Sequence, residues 1–451
     1  MRTRRPEALL WVVGGGAVWV ALLLYSVRTH DIRWLQVVLL VYSLYGVCMH
    51  LLGTLARFRP RCAPPADRLP FVTVLIPARN EARVIGRSVR SSCSLRYHDA
   101  QGRPRFEVIV LDDGSTDGTS EVVRALQDTL PVVPRVVRVP EGEGGRKASV
   151  LNVGMRHARG ELVAVFDADA RIHPEFLRRA VPYLLEPGVA GVQGRRLFYH
   201  PVRTLLSRGQ EVEFRVFHTL MQRAREHFGA CVLLGGNGML VNRRALLALG
   251  GWNPLALTED TDLAIRFWAA GWRVRYCEEA VVWEESVPGW WDLVRQRTRW
   301  SEGALMALGD YFLRILLGRT TLFQKLDLVF FLTGTVAIPA AIFASYVYGT
   351  VLFLRNLLEP LYLLPIGRAL APELTNAAFF LFTGALATAI GAQMGFRPLR
   401  VAGALLSYLL MGSHQMLTAP LALLRYARDT LTGQGEWLKT EHRGAPRPEA
   451  V

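Results

Sequence analysis

Cysteine is scarce in this chain of 451 residues, and Cys48, Cys62, Cys93, Cys231 and Cys277 form no CxxC pair and no pairing pattern. That spacing excludes a disulfide framework and suits reduced thiols, held as small buried hydrophobes, in a cytoplasmic domain. Acid is also in short supply, with 38 Asp and Glu against 53 Lys and Arg, for a formal net charge of +15. The excess of Arg lies largely beside apolar runs and forms no basic, aromatic-interleaved module. This excludes nucleic acid as a partner and marks the cytoplasmic side of a membrane. No clear A-x-A site follows the first apolar run, which speaks against a cleaved signal peptide.

What the sequence does have is apolar length: 51% of its residues are hydrophobic, enough for one large globular domain plus several membrane spans. Residues 8–27 and 34–56 are each near the roughly 20 residues that a spanning helix needs. Basic residues at both outer flanks predict a two-span hairpin over 1–60 with both ends in the cytoplasm. Between 66 and 303 the composition is that of a soluble α/β domain. Apolar runs at 71–78, 106–113, 134–139 and 161–169 read as buried strands, alternating with helical stretches at 83–93, 117–129 and 147–158. That alternation predicts a doubly wound, mostly parallel sheet with its ligand site at the carboxyl ends of the strands. Residues 304–326 read as interfacial amphipathic helices. Apolar runs at 328–354, 377–396 and 401–424 predict transmembrane helices within 327–424, followed by a basic cytoplasmic tail over 425–451. A tail on that side requires an even number of crossings, met if 328 to about 367 crosses twice or adds a re-entrant segment.

Acidic residues gather at the predicted strand ends. Asp112 and Asp113 close one strand, a pattern that an ordinary turn and helix cap also explains. Asp167 and Asp169 close another, where carboxylates at i and i+2 point the same way and can share a hard cation with phosphate oxygens. Glu259 and Asp260 open a helix, and Gln296, Arg299 and Trp300 lie just before the amphipathic stretch. Taken singly, an acid-rich helix start or an arginine snorkelling at a membrane surface accounts for these.

As an ordered set, VTVLIPARNE (72–81), VIVLDDGSTDGT (108–119), GRKASVLNVG (145–154), LVAVFDAD (162–169), GGNGMLVNRRALLALGGW (235–252), LTEDTDLAIRFWAAGWRV (257–274) and QRTRW (296–300) resemble the family 2 glycosyltransferases. The resemblance is to the membrane-bound, processive-type branch containing cellulose, chitin, hyaluronan and poly-N-acetylglucosamine synthases. It implies a GT-A fold, a Rossmann-like cytoplasmic α/β domain flanked by transmembrane helices in a multi-pass plasma-membrane protein.

The resemblance also implies roles. Asp113, with Pro77, Arg79, Asn80, Glu81 and Asp112, would form the nucleotide pocket, and Lys147 would sit near the phosphates. Asp169, with Asp167 beside it, would hold Mg²⁺ or Mn²⁺. Asp260 would be the general base, with Glu259 supporting the acceptor side and Gly235 to Gly238, Gly236 and Asn237 among them, letting backbone approach the acceptor. Arg299, beside Gln296, would steady the leaving diphosphate, and Trp300 would floor the acceptor sugar. Trp437, Lys439 and Thr440 would belong to a tail motif that closes over nucleotide.

One base and no second carboxylate nucleophile imply direct displacement with inversion. The expected reaction is hexosyl transfer from UDP-glucose or UDP-N-acetylglucosamine to a growing β-linked polysaccharide, with transfer to a diacylglycerol or ceramide lipid as the alternative. Membrane lipids are the expected surroundings. Intact Asp113, Asp169, Asp260 and Arg299 argue against a non-catalytic sensor.

Overall fold

The computed structural model describes residues 33–56, 69–199, 203–318, 320–338, 341 and 384–432, with scattered positions between 14 and 29. Cys62, most of the expected span over 8–27, the middle of 327–424 and the tail motif at Trp437, Lys439 and Thr440 lie outside the described residues.

Short runs of β-branched and aliphatic residues build one sheet. Its strands are β1 (Val72–Ala78), β2 (Phe106–Asp112), β3 (Arg135–Arg138), β4 (Leu162–Val165), β5 (Arg171–Ile172), β6 (Val189–Tyr199), β7 (Met239–Asn242) and β8 (Arg273–Glu285), in the order β3-β2-β1-β4-β7-β6-β8-β5. The first half is parallel: β1 pairs with β2 and β4, and β2 with β3. In the second half, β7 runs antiparallel to both β4 and β6, while β6 and β8 are parallel. The four strands read from the sequence are thus parallel to one another as expected, and β7, with β5 on β8, makes the sheet as a whole mixed.

Central strands carry apolar side chains on both faces because helices cover both. Leu75, Ile109, Leu111 and Val165 face one core with Leu151, Trp252 and Phe267. Val74, Ile76, Val110 and Ala164 face the other, with Ile85, Phe176 and Val181. The alternation follows the two-residue period of a strand.

The helices that shape the site are α1 (Arg33–Leu55), α2 (Lys147–His157), α3 (Leu205–Val212), α4 (Thr219–Phe228), α5 (Glu259–Ala269), α6 (Trp290–Leu317), α7 (322–338), α8 (Pro398–Gly412) and α9 (Gln415–Thr432). A π-helical segment, Glu213–His218, joins α3 to α4. Helix α6 runs straight across the expected boundary at 303 and buries Leu293, Val294, Leu305 and Ile315, so it belongs to the α/β domain as much as to the C-terminal helices. The predicted span over 401–424 is two helices, α8 and α9, separated at Ser413 and His414.

Among the described residues one helix, Trp34–Leu55, is long and apolar enough to cross a membrane. It packs on α4 so closely that a Cβ at Gly53 would overlap the Leu220 carbonyl oxygen. A buried polar knot ties it to the rest: Tyr45 Oη donates to Asp327 of α7 at 2.5 Å, and Arg225 of α4 donates to the same carboxylate at 3.0 and 3.2 Å.

Candidate active site

Parallel pairing of β1 and β2 brings Ala78 beside Asp112 and aligns the two loops that follow. These loops grip each other. Asn80, in the left-handed region at φ 53°, accepts the Thr116 N–H at 2.8 Å through its side chain and donates its own N–H to Ser115 Oγ at 3.0 Å. Glu81 N–H donates to Thr119 Oγ1 at 2.8 Å and Ala82 N–H to Asp117 at 2.9 Å. Asp112 turns inward, accepting from the Ser115 N–H at 2.8 Å and from the Ser120 hydroxyl. Burial would raise its pKa, but the hydrogen bonds from Ser115 and Ser120 outweigh burial and hold it below the usual range. Asp112 and Asn80 thus brace the turn behind the cavity, and Asp113 faces it with Pro77, Arg79 and Glu81. Asp113 receives the Gly145 N–H at 3.0 Å and lies 3.6 Å from Arg79.

This loop pair closes one end of a cavity of about 490 Å³. At its centre Lys147, the first residue of α2, reaches Asp167 Oδ1 at 2.5 Å, Glu259 at 3.2 Å and the Gly236 carbonyl at 3.0 Å. Burial disfavours the ammonium, yet the charges of Asp167 and Glu259 prevail and raise its pKa. Asp260 follows Glu259 in the first turn of α5, its Oδ1 accepting the Thr261 N–H at 2.6 Å. Burial, helped by the neighbouring Glu259 charge and opposed by Lys147, pushes the Asp260 carboxyl up to about 6. Gly236 stands opposite at φ +74°, where a Cβ would lie 2.8 Å from Asp260 Oδ2, so only glycine suits both the backbone and the space. Asp169 accepts the Glu285 N–H at 2.8 Å and, like Asp167, lines the cavity.

Among the described residues no three ligating side chains converge as a ready metal cage. The two carboxylates nevertheless fit a divalent cation completed by phosphate oxygens. The Lys147 ammonium against Asp167 shows that positive charge is accommodated at that spot.

Helix α6 supplies the third wall with Gln296, Arg299 and Trp300. Arg299 interacts electrostatically with Glu259, Asp260 and Asp167. Arg297, between them in sequence, donates to Gln296 at 2.9 Å and to Glu213 at 2.5 Å and covers the Trp300 ring at 3.9 Å. Asn237 does not line the cavity; it is fully buried, accepting the Asp167 N–H at 3.2 Å and donating to Glu284 at 3.0 Å.

The motifs give no sign of Arg196, Glu284, Gln193, Glu213, Arg225 or His218, all of which line the cavity. His218 stacks on Phe214 at 4.2 Å and turns an edge toward Trp300 at 6.4 Å. Burial, reinforced by Arg196, Arg297 and Arg225, holds its pKa well below the ordinary histidine value. The cavity ends against Phe331, Thr335 and Ile338 of α7 and His414, Gln415 and Thr418 at the start of α9.

Residues 70–303 match the family described as "Glycosyltransferase like family 2". A beta-monoglucosyldiacylglycerol synthase of Synechocystis sp. is 33% identical over 371 residues, covering 81% of this chain and 74% of that one. Glucomannan 4-beta-mannosyltransferase 7 of Arabidopsis thaliana is 32% identical over 240 residues, covering 52% of this chain and 42% of that one. In fold, the chain is similar to a mannosyltransferase of Pyrobaculum calidifontis solved with GDP-Man and Mn²⁺: TM-score 0.56, 24% identity, 83% of this chain and 99% of that one. The domain is a mixed α/β GT-A glycosyltransferase fold. These relatives are named for a diacylglycerol lipid and for glucomannan, not for the cellulose, chitin, hyaluronan or poly-N-acetylglucosamine of the synthases that the motifs resemble.

Proposed function

This chain belongs to glycosyltransferase family 2 and is a hexosyltransferase, and from that premise we propose that it moves a hexose, with inversion, from a nucleoside diphosphate sugar to a diacylglycerol-type lipid. One observation carries the reading: a single cavity runs from the acidic strand ends to the helical wall of Phe331, Ile338 and Thr418. A lipid hydroxyl entering between those helices would meet Asp260 directly. The extended similarity to a beta-monoglucosyldiacylglycerol synthase supports the same choice.

In this reading Asp113, Pro77, Arg79 and Glu81 hold the nucleotide of a UDP-sugar, UDP-glucose or UDP-N-acetylglucosamine. Asp167 and Asp169 hold Mg²⁺ or Mn²⁺, which when bound supplies positive charge against the diphosphate as the glycosidic bond weakens. Lys147 and Arg299 add fixed positive charge on the same side of the cavity. Asp260 takes the proton of the acceptor hydroxyl, its raised pKa bringing it nearer the working pH of a general base. Trp300, steadied by Arg297, offers its ring to a sugar face. Helix α1 anchors the enzyme in the membrane; a multi-pass arrangement with a cytoplasmic catalytic domain, closed by Trp437, Lys439 and Thr440, completes the proposal.

A second reading, chain growth on a polysaccharide, draws on the similarity to the glucomannan mannosyltransferase. Purified protein in vesicles containing diacylglycerol, given labelled UDP-glucose, UDP-N-acetylglucosamine or GDP-mannose, separates the two. An organic-soluble product with one sugar per lipid is the expected result. A water-soluble polymer formed without lipid acceptor would overturn the lipid reading in favour of the second.

A further inference from the structure

Beyond the residues given roles above, β8 ends in two glutamates, Glu284 and Glu285, that reach the two strand-end aspartates by separate routes. Glu285 acts through its backbone, donating its N–H to Asp169 Oδ2 at 2.8 Å. Glu284 acts through its side chain. Its carboxylate takes a two-pronged ion pair from Arg196 of β6, with Nη2 at 2.8 Å and Nε at 3.1 Å, and accepts Asn237 Nδ2 at 3.0 Å. Asn237 Oδ1 in turn accepts the Asp167 N–H at 3.2 Å. Because Glu284 accepts only, it claims the amino end of the Asn237 amide and leaves the carbonyl end for Asp167.

We propose that Glu284 is a positioning residue: through Asn237 it fixes Asp167, and through its ion pair it neutralises Arg196, so that the Asp167–Asp169 pair is preset for a divalent cation. A bare core ion pair between β6 and β8 would account for Arg196 and Glu284 but not for the third hydrogen bond passed to Asn237. Space is tight as well, since a Cβ at Gly235 would lie 2.6 Å from Arg196 Nη1. Arg196 interacts electrostatically with both Asp260 and Asp167, so its charge, once unmatched, would oppose a cation at the acidic pair. Outer partners of this type typically alter metal affinity by about 10–100-fold when removed. The inference rests on the reading that Asp167 and Asp169 hold the cation.

The test is Mn²⁺ binding to the full-length protein with UDP present, followed by electron paramagnetic resonance of free Mn²⁺ and independent of turnover. Glu284→Gln is expected to weaken binding about 10-fold or more. Asn237→Ala, which cuts the link at its other end and leaves the ion pair intact, should shift binding in the same direction and serves if Glu284→Gln does not fold. Glu107→Gln is the control: it alters a comparably buried carboxylate, ion-paired with the more exposed Arg135 and Arg159 away from the cavity, and should lower thermal stability without moving Mn²⁺ affinity. Asp169→Asn identifies which idea fails. If it loses Mn²⁺ while Glu284→Gln and Asn237→Ala bind like wild type, the positioning role is wrong. If Asp169→Asn itself binds Mn²⁺ normally, the cation reading falls and this inference falls with it.

Discussion

The two halves of the cavity are held together by different forces. On the donor side, Asn80, Asp112 and Asp113 are fixed by backbone N–H groups from neighbouring loops. On the side proposed for the acceptor, the groups are fixed by ion pairs between elements far apart in sequence: Arg297 with Glu213, and Arg225 with Asp327. Loop hydrogen bonds are local and individually modest, whereas a buried ion pair that loses one partner leaves an uncompensated charge. The donor half should therefore tolerate single changes and the acceptor half should not.

The largest effect is expected where the acceptor side is most buried. Arg225 and Asp327 side chains are 3% and 1% exposed, so Asp327→Asn should cost about 3–5 kcal/mol. Thermal unfolding in detergent measures it; a melting temperature equal to wild type would erase the contrast between the halves. Next in size, Asp260→Asn should lower kcat by on the order of 10²-fold or more while UDP binding stays nearly intact. Near-normal turnover would move the base elsewhere, with Glu259 first to be examined.

The pH dependence follows with its sign. A base is active as the carboxylate, and burial lifts Asp260 to about 6, so kcat should be level above that value and decline toward about tenfold per unit well below it. A profile flat down to pH 5 would contradict the raised carboxyl. The smallest effect belongs to the donor side: Ser120→Ala removes one hydrogen bond to Asp112 and should cost about 1 kcal/mol, with kcat little changed. A large loss of activity there would show that Asp112 does more than brace its turn.

This contrast also governs what is legible in the sequence. Strands over 71–78 and 106–113 are plain because unbroken apolar runs ending in acid and glycine are local signals. Each motif is likewise a local signal, and the fold brings Asp113, Lys147, Asp167, Asp169, Glu259, Asp260, Gln296, Arg299 and Trp300 to one cavity. Asp112 is separable from Asp113 in principle, since consecutive residues on a strand point to opposite sides. Arg196 and Glu284 carry no local mark, because each matters through a partner 88 residues away. The split of 401–424 at Ser413 and His414 is likewise hidden, since hydropathy alone does not register a corner.

The π-helical segment at 213–218 has a consequence for how such a site diversifies. A π turn holds one more residue than an α turn, so it acts as a phase shifter between the helices on either side. One residue of an α-helix corresponds to about 100° of rotation. A single-residue deletion within 213–218 would therefore swing the face of α4 that carries Gln222 and Arg225 away from the cavity, while the donor loops, anchored on other strands, kept their geometry. A change of one residue in length at this point would act as a rotary dial, turning the acceptor wall without rebuilding the loops that face the donor.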